Sequence, residues 1–119
     1  MSKNLDIIML FEFYRNILTE KQIEVVDLYY NEDLSLAEIS EHLNITRQGV
    51  RDNIKRAENI LIDMEGKLHL VEKHKNIMNS VDGISKEIQK MELNEAASTL
   101  PWVLEHIGNI KLLLEEIDD

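Results

Sequence analysis

Between Thr46 and Ala57 the chain places Arg47, Gln48, Arg51, Lys55 and Arg56 around a single acid, Asp52. Arginine can pair bidentately with guanine, and basic side chains neutralise phosphates, so these residue types suit recognition of nucleic acid. Their spacing suits it too. At about 100° per residue, Gln48, Asp52 and Lys55 fall opposite an apolar stripe of Val50, Ile54, Ala57 and Leu61, and Arg47, Arg51 and Arg56 flank them. Such a helix packs on one side and offers donors on the other. With Thr46 as the N-cap, the candidate nucleic-acid-binding set is Thr46, Arg47, Gln48, Arg51, Lys55 and Arg56.

Catalytic constellations are not found. The chain has no cysteine, which excludes disulfides and thiolate metal sites. His42, His69, His74 and His106 include no pair three or four residues apart, so no helix face presents two imidazoles to a metal. Glu115, Glu116, Asp118 and Asp119 read as a solvated acidic tail. There is no glycine-rich phosphate loop and no serine elbow. The expectation is a non-enzymatic protein without catalytic residues, metal or cofactor.

The elements that must position the basic helix can be read from caps and stripes. Ile7, Leu10, Phe11 and Tyr14 form one face of a first helix. Thr19 with Gln22 makes a capping box, and Leu18 ahead of Ile23 is placed as a hydrophobic staple. Ile23, Val26, Leu28, Tyr29 and Tyr30 continue that second helix to just before Asn31, the tyrosines being read as packing. Ser35 with Glu38 starts a third helix that buries Leu36, Ile39 and Leu43. Asn44 is the turn, because a tight reversal demands positive φ and Asn tolerates it best after Gly. Ile45 points back inward, and Thr46 caps the basic helix. The result is a helix-turn-helix, a device for laying one helix in the major groove.

Past this motif, Val50, Ile54, Ala57, Leu61, Met64, Leu68 and Val71 alternate spacings of four and three, which predicts that the basic helix continues to about Met78. At Asp82 and Gly83 a kink or a break is equally arguable. A last helix starts at Pro101, with Ser98 or Thr99 as cap, and repeats Val103, Ile107, Ile110, Leu114 and Ile117. The fold class is therefore all-α. A helix-turn-helix bundle over residues 1–62 is followed, over 63–119, by a long helix and a C-terminal helical hairpin.

The seams need partners. The last helix can fold back on the long one, or a second chain can cover them, and both can hold at once. The length of the stripe, and a motif that usually reads two half-sites, favour a homodimer built by the C-terminal helices. Trp102 falls off the main stripe of its helix, where it could meet another chain.

Charge is uneven along the chain. Overall it carries 13 basic and 23 acidic residues, a net of −10, yet Arg47, Arg51, Lys55 and Arg56 stand against Asp52 alone in the basic helix. An acidic body with one basic helix suits a protein that touches few phosphates. No transmembrane segment is evident, and the apolar run Ile7 to Phe11 is too short for a secretory signal, so a cytoplasmic protein is expected.

Phe11 to Tyr14 (FEFY), Leu18 to Gln22 (LTEKQ), Leu28 to Ser40 (LYYNEDLSLAEIS) and Ile45 to Glu58 (ITRQGVRDNIKRAE) together resemble the YlxM family, small bacterial helix-turn-helix proteins similar to the fourth region of sigma factors. The likeness covers about Asp6 to Leu70. It implies a cytoplasmic, all-helical, non-enzymatic protein with a regulatory role in the signal recognition particle pathway, because genes of this family tend to lie beside those of the particle and its receptor. By position, Thr46, Arg47, Gln48, Arg51, Lys55 and Arg56 fall on the sigma-like recognition helix. Arg51 stands where the family often has Tyr, and Gly49 where it has Ala, which leaves base preference open. Three functions follow as expectations: a DNA-binding regulator; an accessory factor contacting the particle's RNA or protein subunit; and an adaptor that binds no nucleic acid and meets particle components through its acidic helical surface.

Overall fold

Four apolar side chains of one helix, Val50, Ile54, Ala57 and Leu61, are wholly removed from solvent, and the first three helices of the chain assemble around them. The computed structural model describes residues 3–118; Met1, Ser2 and Asp119 of the acidic tail lie outside the described residues, as do the side chains of Ser98 and Asp118. Within that range the chain is all-helical, with seven α-helices: α1 (Asp6–Tyr14), α2 (Glu20–Val26), α3 (Leu36–Leu43), α4 (Arg47–Leu68), α5 (Leu70–Glu92), α6 (Glu95–Ser98) and α7 (Pro101–Asp118). Contacts divide it into two compact units, one ending at Val71 and one beginning at Glu72.

In the first unit, α1, α2 and α3 each pack on α4. Ile7, Leu10, Phe11 and Tyr14 of α1 are buried, as the spacing predicts. The Thr19 hydroxyl accepts from the Gln22 amide at 3.2 Å while Gln22 Oε1 accepts from the Thr19 amide at 2.9 Å, which closes the capping box of α2. Past Val26 that helix widens into one π turn, Asp27–Asn31. Both tyrosines of the turn point into the core, edge to face at 5.1 Å. Tyr30 accepts from the Asn4 amide at 3.2 Å and donates to the buried carboxylate of Glu58 at 2.9 Å, so a polar pair enters the core with each partner satisfied. Burial, together with Glu58 and against the Asn4 amide, pushes the Tyr30 phenol up to about 12.

The basic helix does not run on to Met78. It stops at Leu68, where His69 takes a left-handed conformation (φ 55°, ψ 31°). The cause lies far away in sequence. Tyr14 donates from its hydroxyl to Glu65 at 2.5 Å and accepts from the Leu70 amide at 3.1 Å, while Glu65 accepts from the Val71 amide at 3.0 Å. The opening amides of α5, which a continuous helix would pair with preceding carbonyls, are thus held by a phenol and a carboxylate. Leu68 is left exposed and the stripe resumes only at Val71. Tyr14→Phe removes the acceptor of the Leu70 amide. Hydrogen exchange at Leu70 is expected to quicken, with exchange at Val50 and Ile54 unchanged; an unaltered rate at Leu70 would mean that Tyr14 does not hold the break.

In the second unit, Val81 and Ile88 of α5 and Ile107 of α7 are buried. Val81, Ser85, Ile88 and Gln89 share a groove of about 290 Å³ with Lys111, Leu114 and Glu115, and Lys111 pairs with Glu92. At Asp82 and Gly83 the helix neither stops nor yields to a loop, and Asp82 pairs with Lys86 one turn on at 2.9 Å. Two details depart from expectation. A short α6, capped by Asn94 on the amides of Ala96 and Ala97, precedes the last helix. And with Pro101 as the first residue of α7, Leu100 takes the cap position, its carbonyl accepting from Val103 at 3.0 Å; the Thr99 hydroxyl instead donates back to the Ala96 carbonyl at 2.8 Å. Of the final stripe only Ile107 is fully buried, whereas Ile110 and Ile117 are exposed. None of the described helices is long and apolar enough to cross a membrane.

Candidate nucleic-acid interface

Two capped starts and one left-handed residue build the motif. The Ser35 hydroxyl accepts from the Glu38 amide at 3.1 Å, and Glu38 returns an acceptor to the Ser35 amide at 3.0 Å. Hydrogen bonds from the amide of Ser35, and then from its hydroxyl, hold the Glu38 carboxyl below its usual 4.5. The sign follows: a depressed carboxyl stabilises the start of α3 at neutral pH, and that support is lost as pH falls through the folded value. A carboxyl NMR titration is expected to place Glu38 below 4.5. Ser35→Ala, which removes the hydroxyl but keeps the amide, is expected to move it part of the way back up; a midpoint that does not respond would refute the box.

α3 ends at Asn44 with φ 56° and ψ 46°, the reversal expected from its side chain. The Asn44 and Ile45 amides both return to the Ser40 carbonyl, and the Ser40 hydroxyl donates to the Ile45 carbonyl at 2.5 Å. This staple fixes the angle at which α4 leaves. Thr46 then accepts from the Gly49 amide at 2.9 Å. A Cβ at position 49 would come within 3.1 Å of that hydroxyl oxygen, so Gly49 gives the cap room.

Thr46, Arg47, Gln48, Arg51, Lys55 and Arg56 are all exposed, on the face of α4 turned away from Val50, Ile54 and Ala57. They are not equivalent. The hydroxyl of Thr46 is engaged in capping, and the Gln48 amide donates to Asp52 at 2.9 Å, one turn along. Asp52 thus orients Gln48 and also places a negative charge between the basic residues, a relation not apparent from their spacing. Among the described residues, Arg47, Arg51, Lys55 and Arg56 form no ion pair with the protein's own acids. Four cationic groups therefore face solvent within two and a half turns, on a helix whose other side is anchored. Among the described residues, no group of three or more His, Asp or Glu side chains is placed to hold a metal ion.

Comparison with known proteins agrees with this architecture. Residues 1–100 match the family model UPF0122, "Putative helix-turn-helix protein, YlxM / p13 like". A UPF0122 protein of Acetivibrio thermocellus is 45% identical over 114 residues, covering 92% of this chain and 97% of its own. A UPF0122 protein of Thermoanaerobacter pseudethanolicus is 44% identical over 110 residues, 92% of each chain, and one of Clostridium kluyveri is 42% identical over 109 residues, 92% and 98%. The chain belongs to the UPF0122 family of YlxM/p13-like helix-turn-helix proteins.

Proposed function

We propose that this protein is a non-catalytic, cytoplasmic regulator that binds nucleic acid through the N-terminal half of α4 and takes part in the signal recognition particle pathway. The observation that carries the reading is the division of α4 between a fully buried stripe and an exposed face bearing Arg47, Gln48, Arg51, Lys55 and Arg56. In this reading Arg47, Gln48 and Arg51 meet base edges, and Lys55 and Arg56 lie near phosphates. The partner is DNA or the particle's RNA, with the particle's protein subunit as a further contact.

A second reading has an observation in its favour. With Asp52 set among the basic groups and a net charge of −10, the surface is mostly hostile to phosphates. In that case the protein is an adaptor that meets particle components through its acidic helices. Titrating promoter DNA, signal recognition RNA and an unrelated duplex at two salt concentrations separates the two. We expect one of the first two to bind above the non-specific level, with a log-log salt slope no steeper than about −4, since four basic groups neutralise at most four phosphates. Equal, weak binding to all three would leave the adaptor.

A further inference from the structure

We propose that a second copy of this chain docks along uncovered apolar edges of α5 and α7, joining two C-terminal hairpins into a four-helix bundle. Each of these helices carries a wider apolar arc than its own unit covers. On α5 the buried and half-buried positions Met78, Val81, Ser85 and Ile88 are flanked by Ile77, Ile84 and Met91, seven residues apart and therefore in one line along the helix. On α7, Val103, Ile107 and Leu114 turn inward, while Trp102, Ile110, Leu113 and Ile117 form the adjoining line. These seven edge residues are 39% to 62% exposed.

The area and the charges both point to a second copy. Seven large apolar side chains at roughly half exposure offer about 800 Å², which is the share one partner contributes to a stable interface and more than a monomer usually leaves open. Lys86 and Lys90 are occupied by Asp82 and Glu87, but Lys73 and Lys75 of α5 pair with none of the described residues. Neither do Glu105, Glu115 and Glu116 of α7. Of these, Lys73 borders the apolar line of α5 and Glu116 that of α7, whereas Lys75 and Glu115 project from the far flanks and Glu105 lies at the other end of α7. A two-fold pairing that sets α5 of one copy antiparallel to α7 of the other brings Lys73 toward Glu116. Placing α7 on α7 would instead oppose acids. The same patch then serves both copies, as an isologous interface requires. None of this depends on nucleic-acid binding.

Sedimentation velocity on the full chain from nanomolar to high micromolar concentration tests the proposal. The wild type is expected to pass from one chain to two. Leu113→Glu and Ile84→Glu, each burying an unpaired charge in the seam, are expected to raise the dimer dissociation constant about a hundredfold or more with helicity kept. A single-chain mass at every concentration overturns the proposal, and so does a dimer that tolerates both substitutions. Should either variant lose helicity, Trp102, the chain's one tryptophan, decides in the wild type. Emission moving to shorter wavelength as the dimer forms supports the interface, and constant emission across the association overturns it.

Discussion

Ile54→Ala is expected to remove about 3 kcal/mol of unfolding free energy. Ile54 is wholly buried on the helix that α1, α2 and α3 all contact, so the vacated volume cannot collapse cheaply. Alanine's better helix propensity returns only a few tenths of a kcal/mol. Against a total of about 5 to 15 kcal/mol for a domain, that is a large fraction. Ile62→Ala on the same helix is the control, because Ile62 is exposed and its truncation is expected to stay within about 0.5 kcal/mol. Guanidinium titration followed by circular dichroism reads both. Equal midpoint shifts for the two variants would contradict the core described for the first unit.

The contrast between these two isoleucines was legible in sequence, since Ile54 falls on the stripe and Ile62 does not. So were the three N-caps, Thr19, Ser35 and Thr46, and the left-handed Asn44. Each depends on partners within five residues, and local rules are written in the chain itself. The end of α4 was not legible, for the opposite reason. Leu68 fits the apolar repeat, but the groups that stop the helix beyond it include Tyr14, which lies 56 residues before the amide it accepts from. Histidine enters the left-handed region more readily than most side chains, but that weak preference does not by itself mark His69 as a helix end. Periodicity also cannot distinguish a stripe that is covered from one that merely could be. Ile107 and Ile110 both belong to the repeat of the last helix, yet one is buried and the other open. In the candidate site, spacing identified which side chains leave the core; it did not show that Asp52 holds Gln48, because an acid one turn away reads equally well as a solvated neighbour.

That last point sharpens what removal of the arginines should do. With Gln48 held by Asp52 and Thr46 engaged in its cap, Arg47 and Arg51 are the side chains of this face best able to reach base edges. Arg47→Ala with Arg51→Ala is expected to weaken binding to the preferred nucleic acid at least thirtyfold, taking about 1 kcal/mol as the lower bound for each bidentate contact. Lys55→Ala with Arg56→Ala should instead weaken all sequences alike and reduce the salt slope by about 2, the signature of lost phosphates. Neither pair should disturb the fold, since all four side chains are exposed and make no ion pair among the described residues. Circular dichroism and melting temperature are therefore expected to stay close to the wild type. The two double variants separate readout from attraction, a distinction that total affinity alone cannot make. An arginine pair whose loss leaves affinity and sequence preference intact would remove base recognition from this helix, and the buried stripe of α4 would then serve only to hold the bundle together.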